Sequence, residues 1–206
     1  MVTPPEDGDA GVALVCCETT VGPWNILVHN SWAPIGAKRF LEMVESSHFE
    51  KTVPLMRCVE NFLCQFGLNG RPDAMKPFKK SIPDDPNWLP EGPDHRENKL
   101  GVKRFQKGYM AYAGAGVASR DIQLIVALKD NGPLAGGSPW EVPWGELVGA
   151  HSYETLSKIY TGYGEDGPKQ GLLWKADALK FVKQNYPQID YVNSCRVVDR
   201  EEGQQQ

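Results

Sequence analysis

Apolar patterning in this 206-residue chain never runs far before a glycine or proline interrupts it; the sequence holds 21 glycines and 16 prolines. Between the interruptions lie short stretches rich in β-branched and aromatic residues: Val12 to Thr20, Trp24 to His29, Thr52 to Cys58, Phe62 to Phe66, Gly108 to Ala113, Gln123 to Leu128, Trp144 to Val148 and Val192 to Val198. Runs of this length bounded by turn residues are strand signals. Val21, Gly22 and Pro23 between the first two predict an opening hairpin. So many short strands must bury their faces on one another, and the pattern predicts a mainly β fold, a closed antiparallel β-barrel carrying helices.

Helical periodicity is confined to three places. Ser31 suits a cap, Pro34 suits a first turn, and Ala37, Phe40, Leu41 and Val44 recur at helical spacing, which predicts a helix of about three turns. Tyr153 to Tyr160 carries Leu156, Ile159 and Tyr160 on one side, and Trp174 to Tyr186 predicts a further, C-terminal helix. Residues 69–107 are rich in Pro, Lys and Asp and lack periodicity, the mark of a functional or variable insertion. The expected organisation is a flexible tail over 1–11, one domain over 12–198 and a polar tail over 199–206. There are no internal repeats or low-complexity segments.

A formal net charge of −4 gives no general attraction to nucleic acid or anionic membrane. No apolar run approaches the roughly 20 residues that span a bilayer. Met1 to Ala10 is Pro- and acid-rich, without a basic-then-apolar signal pattern. Cys16, Cys17, Cys58, Cys64 and Cys195 include no C-x-x-C pair, so a reducing compartment, the cytoplasm, is expected, with Cys64 as buried packing material. His29, His48, His95 and His151 lack metal spacing, and no metal or other cofactor is expected; His29 and His48, flanking the first helix, are expected at the surface. Gly162, Gly164 and Gly167 spell G-x-G-x-x-G, but after a helix and around Glu165 and Asp166, which would repel a pyrophosphate. A helix-ending turn is the better reading. Asp84 and Asp85 are adjacent rather than facing across a cleft, and read as a solvated turn.

The most informative segment is Leu55 to Gly67, where a lone Arg57 and Gln65 stand at the edges of two apolar runs. In an antiparallel hairpin Arg57, Phe62, Leu63 and Gln65 can share a groove. Equally, Arg57 can lie along the outside of a barrel with its head in water, and spacing alone favours that plainer reading.

The order Arg57, Phe62, Gln65, Gly67 resembles the signature of the cyclophilin family of peptidyl-prolyl cis-trans isomerases around its catalytic arginine. Ser31 to Glu42 resembles the family's first helix, and Gly108 to Gly116 with Gln123 its Gly-x-x-x-Met-Ala-Asn-Ala-Gly strand and following Gln. Trp144 to Val148 resembles its Phe-Gly-x-Val strand, and Leu156 to Glu165 its second helix and turn. The matches occur in family order from Val12 to Glu165.

The resemblance implies an eight-stranded antiparallel barrel capped by two α-helices, here with a long insertion and an extra C-terminal helix. It implies isomerisation of Xaa-Pro bonds in a shallow outer groove, with a proline-containing peptide or protein as partner and no cofactor. Arg57, Phe62 and Gln65 would form the catalytic set. Leu63 would share the proline pocket with Phe62, and Gln65 and Gln123 would bond the peptide backbone. Ala113 and Gly114 would lie alongside it, and Ile125 and Leu134 would supply apolar contact. Three departures bear on this. Ile125 stands where the family has an aromatic, which widens the pocket; Pro133 replaces the rim Trp ahead of Leu134; and Glu141 aligns with the rim His, beside a Trp140 able to refill the aromatic surface. Gly114 replaces an Asn that offers only its backbone. An active isomerase is the leading expectation, ahead of a proline-peptide binding module without catalysis. A subunit of a larger assembly, docked through Trp88, Leu89, Trp174 or Tyr186, is compatible with either.

Overall fold

A computed structural model describes residues 12–50, 52–85, 105–130 and 140–198. The strands are β1 (Val12–Thr19), β2 (Gly22–His29), β3 (Val53–Pro54), β4 (Arg57–Val59), β5 (Leu63–Phe66), β6 (Tyr109–Tyr112), β7 (Leu124–Ala127), β8 (Gly145–Val148) and β9 (Tyr191–Val198). They form one antiparallel nine-stranded sheet in the order β3-β9-β1-β2-β8-β6-β7-β5-β4. The expected eight-stranded closure is therefore corrected. The ladder starts on β3 and ends on β4, and only Leu55 and Met56 lie between them in the chain. Pro54 has no N–H to give, and the run divides its pairing: Val53 and Pro54 oppose β9, whereas Arg57 to Val59 oppose β5. The opening hairpin turns one residue earlier than expected, and Pro23 already lies within β2.

The inner face of the curled sheet is apolar. Trp24, Phe66, Trp144, Met110, Leu124 and Val126 are all buried in it. Helix α1 (Pro34–Glu45) turns Ala37, Phe40, Met43 and Val44 inward, and Phe40 stacks on Trp144 with ring centroids 4.2 Å apart. Ser31 does not cap this helix: the N-cap position is Ala33, which offers no side-chain acceptor. Its acceptor comes from far along the chain, as Ile35 N and Gly36 N donate to the Asp85 carboxylate at 2.7 and 3.1 Å. Asp85 is thus a buried cap rather than part of a solvated turn; it also receives Arg120 Nη1 at 2.7 Å, with both side chains fully buried.

The second expected helix runs over Ala150–Lys158 as α3 and packs on β2. Of the helix expected over Trp174 to Tyr186, Ala178–Asn185 is helical, as α5, and begins after Asp177, which takes a left-handed backbone; a separate short helix α4 (Gln170–Leu173) precedes it. A short helix α2 (Pro72–Met75) begins the expected insertion, whose residues 86–104, including Trp88, Leu89 and His95, lie outside the described residues. Disulfides join Cys17 to Cys195 and Cys58 to Cys64, leaving Cys16 free; Cys64 is buried as expected, but bonded across the hairpin.

His29 and His48 are buried, against expectation. His29 stacks on Trp32 and lies 3.0 Å from Glu146. His48 Nε2 lies 2.7 Å from the Gly67 carbonyl oxygen, and Asn69 Nδ2 lies 3.3 Å from Nδ1. This fixes the exit of β5, where Gly67 adopts a φ of +113° and a Cβ would stand 2.2 Å from Ile122 O. Burial drives the His48 pKa below its ordinary 6.5, against the hydrogen bonds to the Gly67 and Ala74 carbonyls. An unfolded chain takes up this proton first as pH falls. His48 therefore contributes stability that is complete above about pH 6.5 and is lost as pH drops through its lower folded value. Thermal melts of wild type and His48→Gln across this window should show a shallower acid-side decline in the variant; parallel declines would refute it.

Candidate functional site

Register decides which side chains meet. Arg57 opposes Gln65 across β4–β5, Gln65 opposes Ile125 across β5–β7, and Ile125 opposes Ala111 across β7–β6. Directly opposed residues share a face, so these form one row on the outside of the barrel, while Cys58, Cys64, Val126 and Met110 form the neighbouring row facing the core. Leu63, two residues before Gln65, falls on the outer face too. The hairpin between them turns at Asn61, whose φ of 57° suits asparagine. It is closed by Phe62 N donating to Val59 O at 3.1 Å. Phe62 then lies under the guanidinium of Arg57, 5.7 Å from Cζ to ring centroid.

These residues border one open cavity of about 320 Å³. Arg57, Phe62, Leu63, Gln65, Ala113, Gly114, Gln123 and Ile125 all line it, as does Glu141. Leu134 and Pro133 lie outside the described residues. Gln65, nearly buried, donates through Nε2 to Gln123 Oε1 at 2.9 Å, which ties β5 to the segment before β7 and fixes both amides. A larger hollow of about 480 Å³ lies between α2 and Trp174, edged by Asp73, Lys76 and Lys79, with Lys79 Nζ 5.7 Å from the Trp174 ring centroid.

Two further aromatics stand by the apolar side: Phe105, which the sequence does not announce, and Trp140, which it offers as a substitute for the lost rim aromatic. Phe105, almost fully buried, packs in one cluster with Leu63, Ala111, Ile125 and Ala127. It stands behind the position where Ile125 replaces an aromatic. Trp140 lies against Gly114, where a Cβ would stand within 2.5 Å of its ring. Gly114 is thus the space that Trp140 occupies, and an Asn there would displace it. Neither contact has a local signature: Phe105 ends a long irregular stretch, and Trp140 follows residues 131–139, outside the description.

Polar control of the site centres on Arg57. Its Nε and Nη2 donate to the two carboxylate oxygens of Glu165 at 2.7 and 2.5 Å, a bidentate fork. The hydrogen bond from Arg57 holds the Glu165 carboxyl below the usual carboxylate range. Across this pair lies a second, smaller cavity of about 220 Å³, edged by Met56, Gly167, Pro168 and Lys169. Among the described residues no cluster of three or more His, Cys, Asp or Glu side chains is arranged for a metal ion, and no helix is long and apolar enough to cross a membrane.

No curated protein matches the chain by sequence. Solved structures share the fold. A cyclophilin type peptidyl-prolyl cis-trans isomerase of Cryptosporidium parvum, crystallised in the presence of the dipeptide Ala-Pro, aligns with a TM-score of 0.59 at 16% identity, covering 91% of this chain and 99% of that one. The Mimivirus cyclophilin aligns with a TM-score of 0.58 at 15% identity, covering 98% of this chain and 96% of that one. The sequence model for "cyclophilin type peptidyl-prolyl cis-trans isomerase/CLD" matches residues 14–173. That span takes in the β4–β5 row, the Gln123 segment and the Glu165 turn, and the chain belongs to the cyclophilin-type peptidyl-prolyl cis-trans isomerase family.

Proposed function

We propose that the Arg57 cavity receives a proline-containing peptide and catalyses cis-trans interconversion of its Xaa-Pro bond. The carrying observation is the single outer-face row in which a fixed guanidinium stands beside an apolar floor. The prolyl amide resists rotation by about 18–20 kcal/mol because twisting breaks its conjugation. Twisting also returns the lone pair to nitrogen, which then accepts a hydrogen bond that the planar amide does not. A donor held where that nitrogen sits binds the twisted form better than either planar isomer, and this difference is catalysis. Arg57 is that donor. Phe62, Leu63 and Ile125 take the ring, Phe105 stiffening them from behind. Gln65 and Gln123, locked to each other, keep further amide groups for the peptide backbone, and Ala113 and Gly114 flank it. Proline binding draws support from the Cryptosporidium structure with Ala-Pro. No covalent intermediate or cofactor enters this scheme.

The test is a protease-coupled isomerisation assay on Xaa-Pro peptides. Wild type should exceed the uncatalysed rate and Arg57→Ala should fall close to it; equal rates for the two proteins, at the uncatalysed level, would reject the enzyme reading.

A further inference from the structure

The turn spelling G-x-G-x-x-G delivers Glu165 to Arg57. We propose that Glu165 is a positioning residue for the isomerase reaction: its carboxylate fork fixes the plane of the Arg57 guanidinium so that Nη1 is presented to the prolyl nitrogen. The inference rests on the isomerase reading above.

Three sets of observations carry it. First, a guanidinium has five N–H donors in one rigid plane. Holding Nε and Nη2 from one edge sets the orientation of the remaining donors, and Arg57 borders both cavities whereas Glu165 borders only the smaller one. Second, the turn is itself held. Gly164–Asp166 form a 3-10 turn with Gly164 N donating to Thr161 O at 3.0 Å and Asp166 N to Tyr163 O at 2.8 Å. Lys169 Nζ donates to the Glu165 carbonyl at 2.8 Å. Gly167 seats the turn on the residue before Arg57, where a Cβ would stand 2.2 Å from Met56 O. Third, the C-terminal segment buttresses it. Tyr163 packs edge-on against both Tyr160 and Tyr186, with centroids 5.0 and 5.2 Å apart. A chain of contacts thus runs from the end of α5 through Tyr163 and Glu165 to the reacting donor.

The pair is not a stability device. The Glu165 side chain is 63% exposed and that of Arg57 29%, and ion pairs so placed contribute little to folding. What a fork of this geometry supplies is direction, and misplacing a reacting group by a fraction of an ångström is costly to rate.

Glu165→Ala should therefore melt like wild type and lose roughly tenfold in kcat/KM, mostly through kcat because the peptide's ground-state contacts remain. Glu165→Gln, keeping one acceptor, should fall between. Glu154→Ala, which removes an equal charge from the exposed Glu154–Lys158 pair, should leave the rate unchanged. By NMR, the Arg57 Nε–H should be protected from exchange in wild type and exposed in Glu165→Ala. Wild-type rates in Glu165→Ala beside a slow Arg57→Ala would overturn this inference alone, and a faster Glu165→Ala would show an autoinhibitory contact instead. An inactive wild type would overturn the isomerase reading and this one with it. An unprotected Arg57 Nε–H in wild type would overturn the fork regardless of activity.

Discussion

Arg57→Lys is expected to be almost as slow as Arg57→Ala, with both losing on the order of 10²–10³ in kcat/KM, the usual cost of removing one transition-state donor. Charge is preserved in the Lys variant, so a site that worked by positive potential alone would tolerate it. The geometry argues otherwise. Arg57 is gripped on one edge by Glu165 and lies over Phe62, and both contacts use the flat, forked shape of the guanidinium. An ammonium on a flexible stem can satisfy Glu165 or point into the groove, but it cannot be fixed by one while serving the other. Both variants should keep the wild-type melting temperature to within a few degrees, since β4 is held by backbone pairing to β5 and Arg57 is partly solvated. A Lys variant within threefold of wild type would show that potential, rather than direction, drives the reaction.

The largest loss of stability is expected from Asp85→Ala, about 3–5 kcal/mol in urea denaturation, the range for stripping one partner from a buried ion pair. Asp85 serves two clients. It neutralises Arg120, whose side chain has no solvent access and whose Nη2 also donates to Pro83 O, and it accepts from Ile35 N and Gly36 N at the start of α1. Removing it leaves a buried guanidinium with only the more distant Asp84 carboxylate, 3.7 Å from Nε, and a helix end uncapped. Asp85→Ala combined with Arg120→Met should recover part of the loss, because the charge is then gone from both sides. A double variant less stable than Asp85→Ala would mean that Arg120 is held chiefly by Asp84, Pro83 O and the Tyr112 ring.

The contrast between these sites explains what could be read from the chain. Arg57 and Gln65 stand eight apart around a tight hairpin, and the period of two that makes a strand also puts both on one face; their meeting is a local consequence of sequence. Gln123 needs the family pattern as well, because β7 joins β5 only through the sheet order. Asp85 was opaque. Its cap lies fifty positions from the N–H groups it serves, and no spacing rule connects a Pro-Asp-Asp turn to a distant helix end. The burial of His48 and His29 escapes the sequence for a related reason. Each flanks α1, where surface is the ordinary expectation, but each finds a partner, Gly67 O or Glu146, brought in by tertiary folding. Glu165 is legible as a poor phosphate ligand and as the end of the family's second helix and turn, but not as a partner of Arg57. The opposite charge that attracts it sits on β4, a hundred residues earlier.

The way the sheet begins and ends also limits how anything can dock on it. Its two outermost strands are the shortest, β3 at two residues with a proline and β4 at three, and each is the other's neighbour in the chain. Neither presents a row of free amides along which a foreign strand can zip. Short edges of this kind give a peptide in the Arg57 cavity little to extend as an added strand. On the proposed reading its contacts are then few, Gln65, Gln123 and the guanidinium with the backbone of Ala113 and Gly114 alongside, which would hold a few atoms around one bond and leave the rest of the client free to change shape as that bond turns.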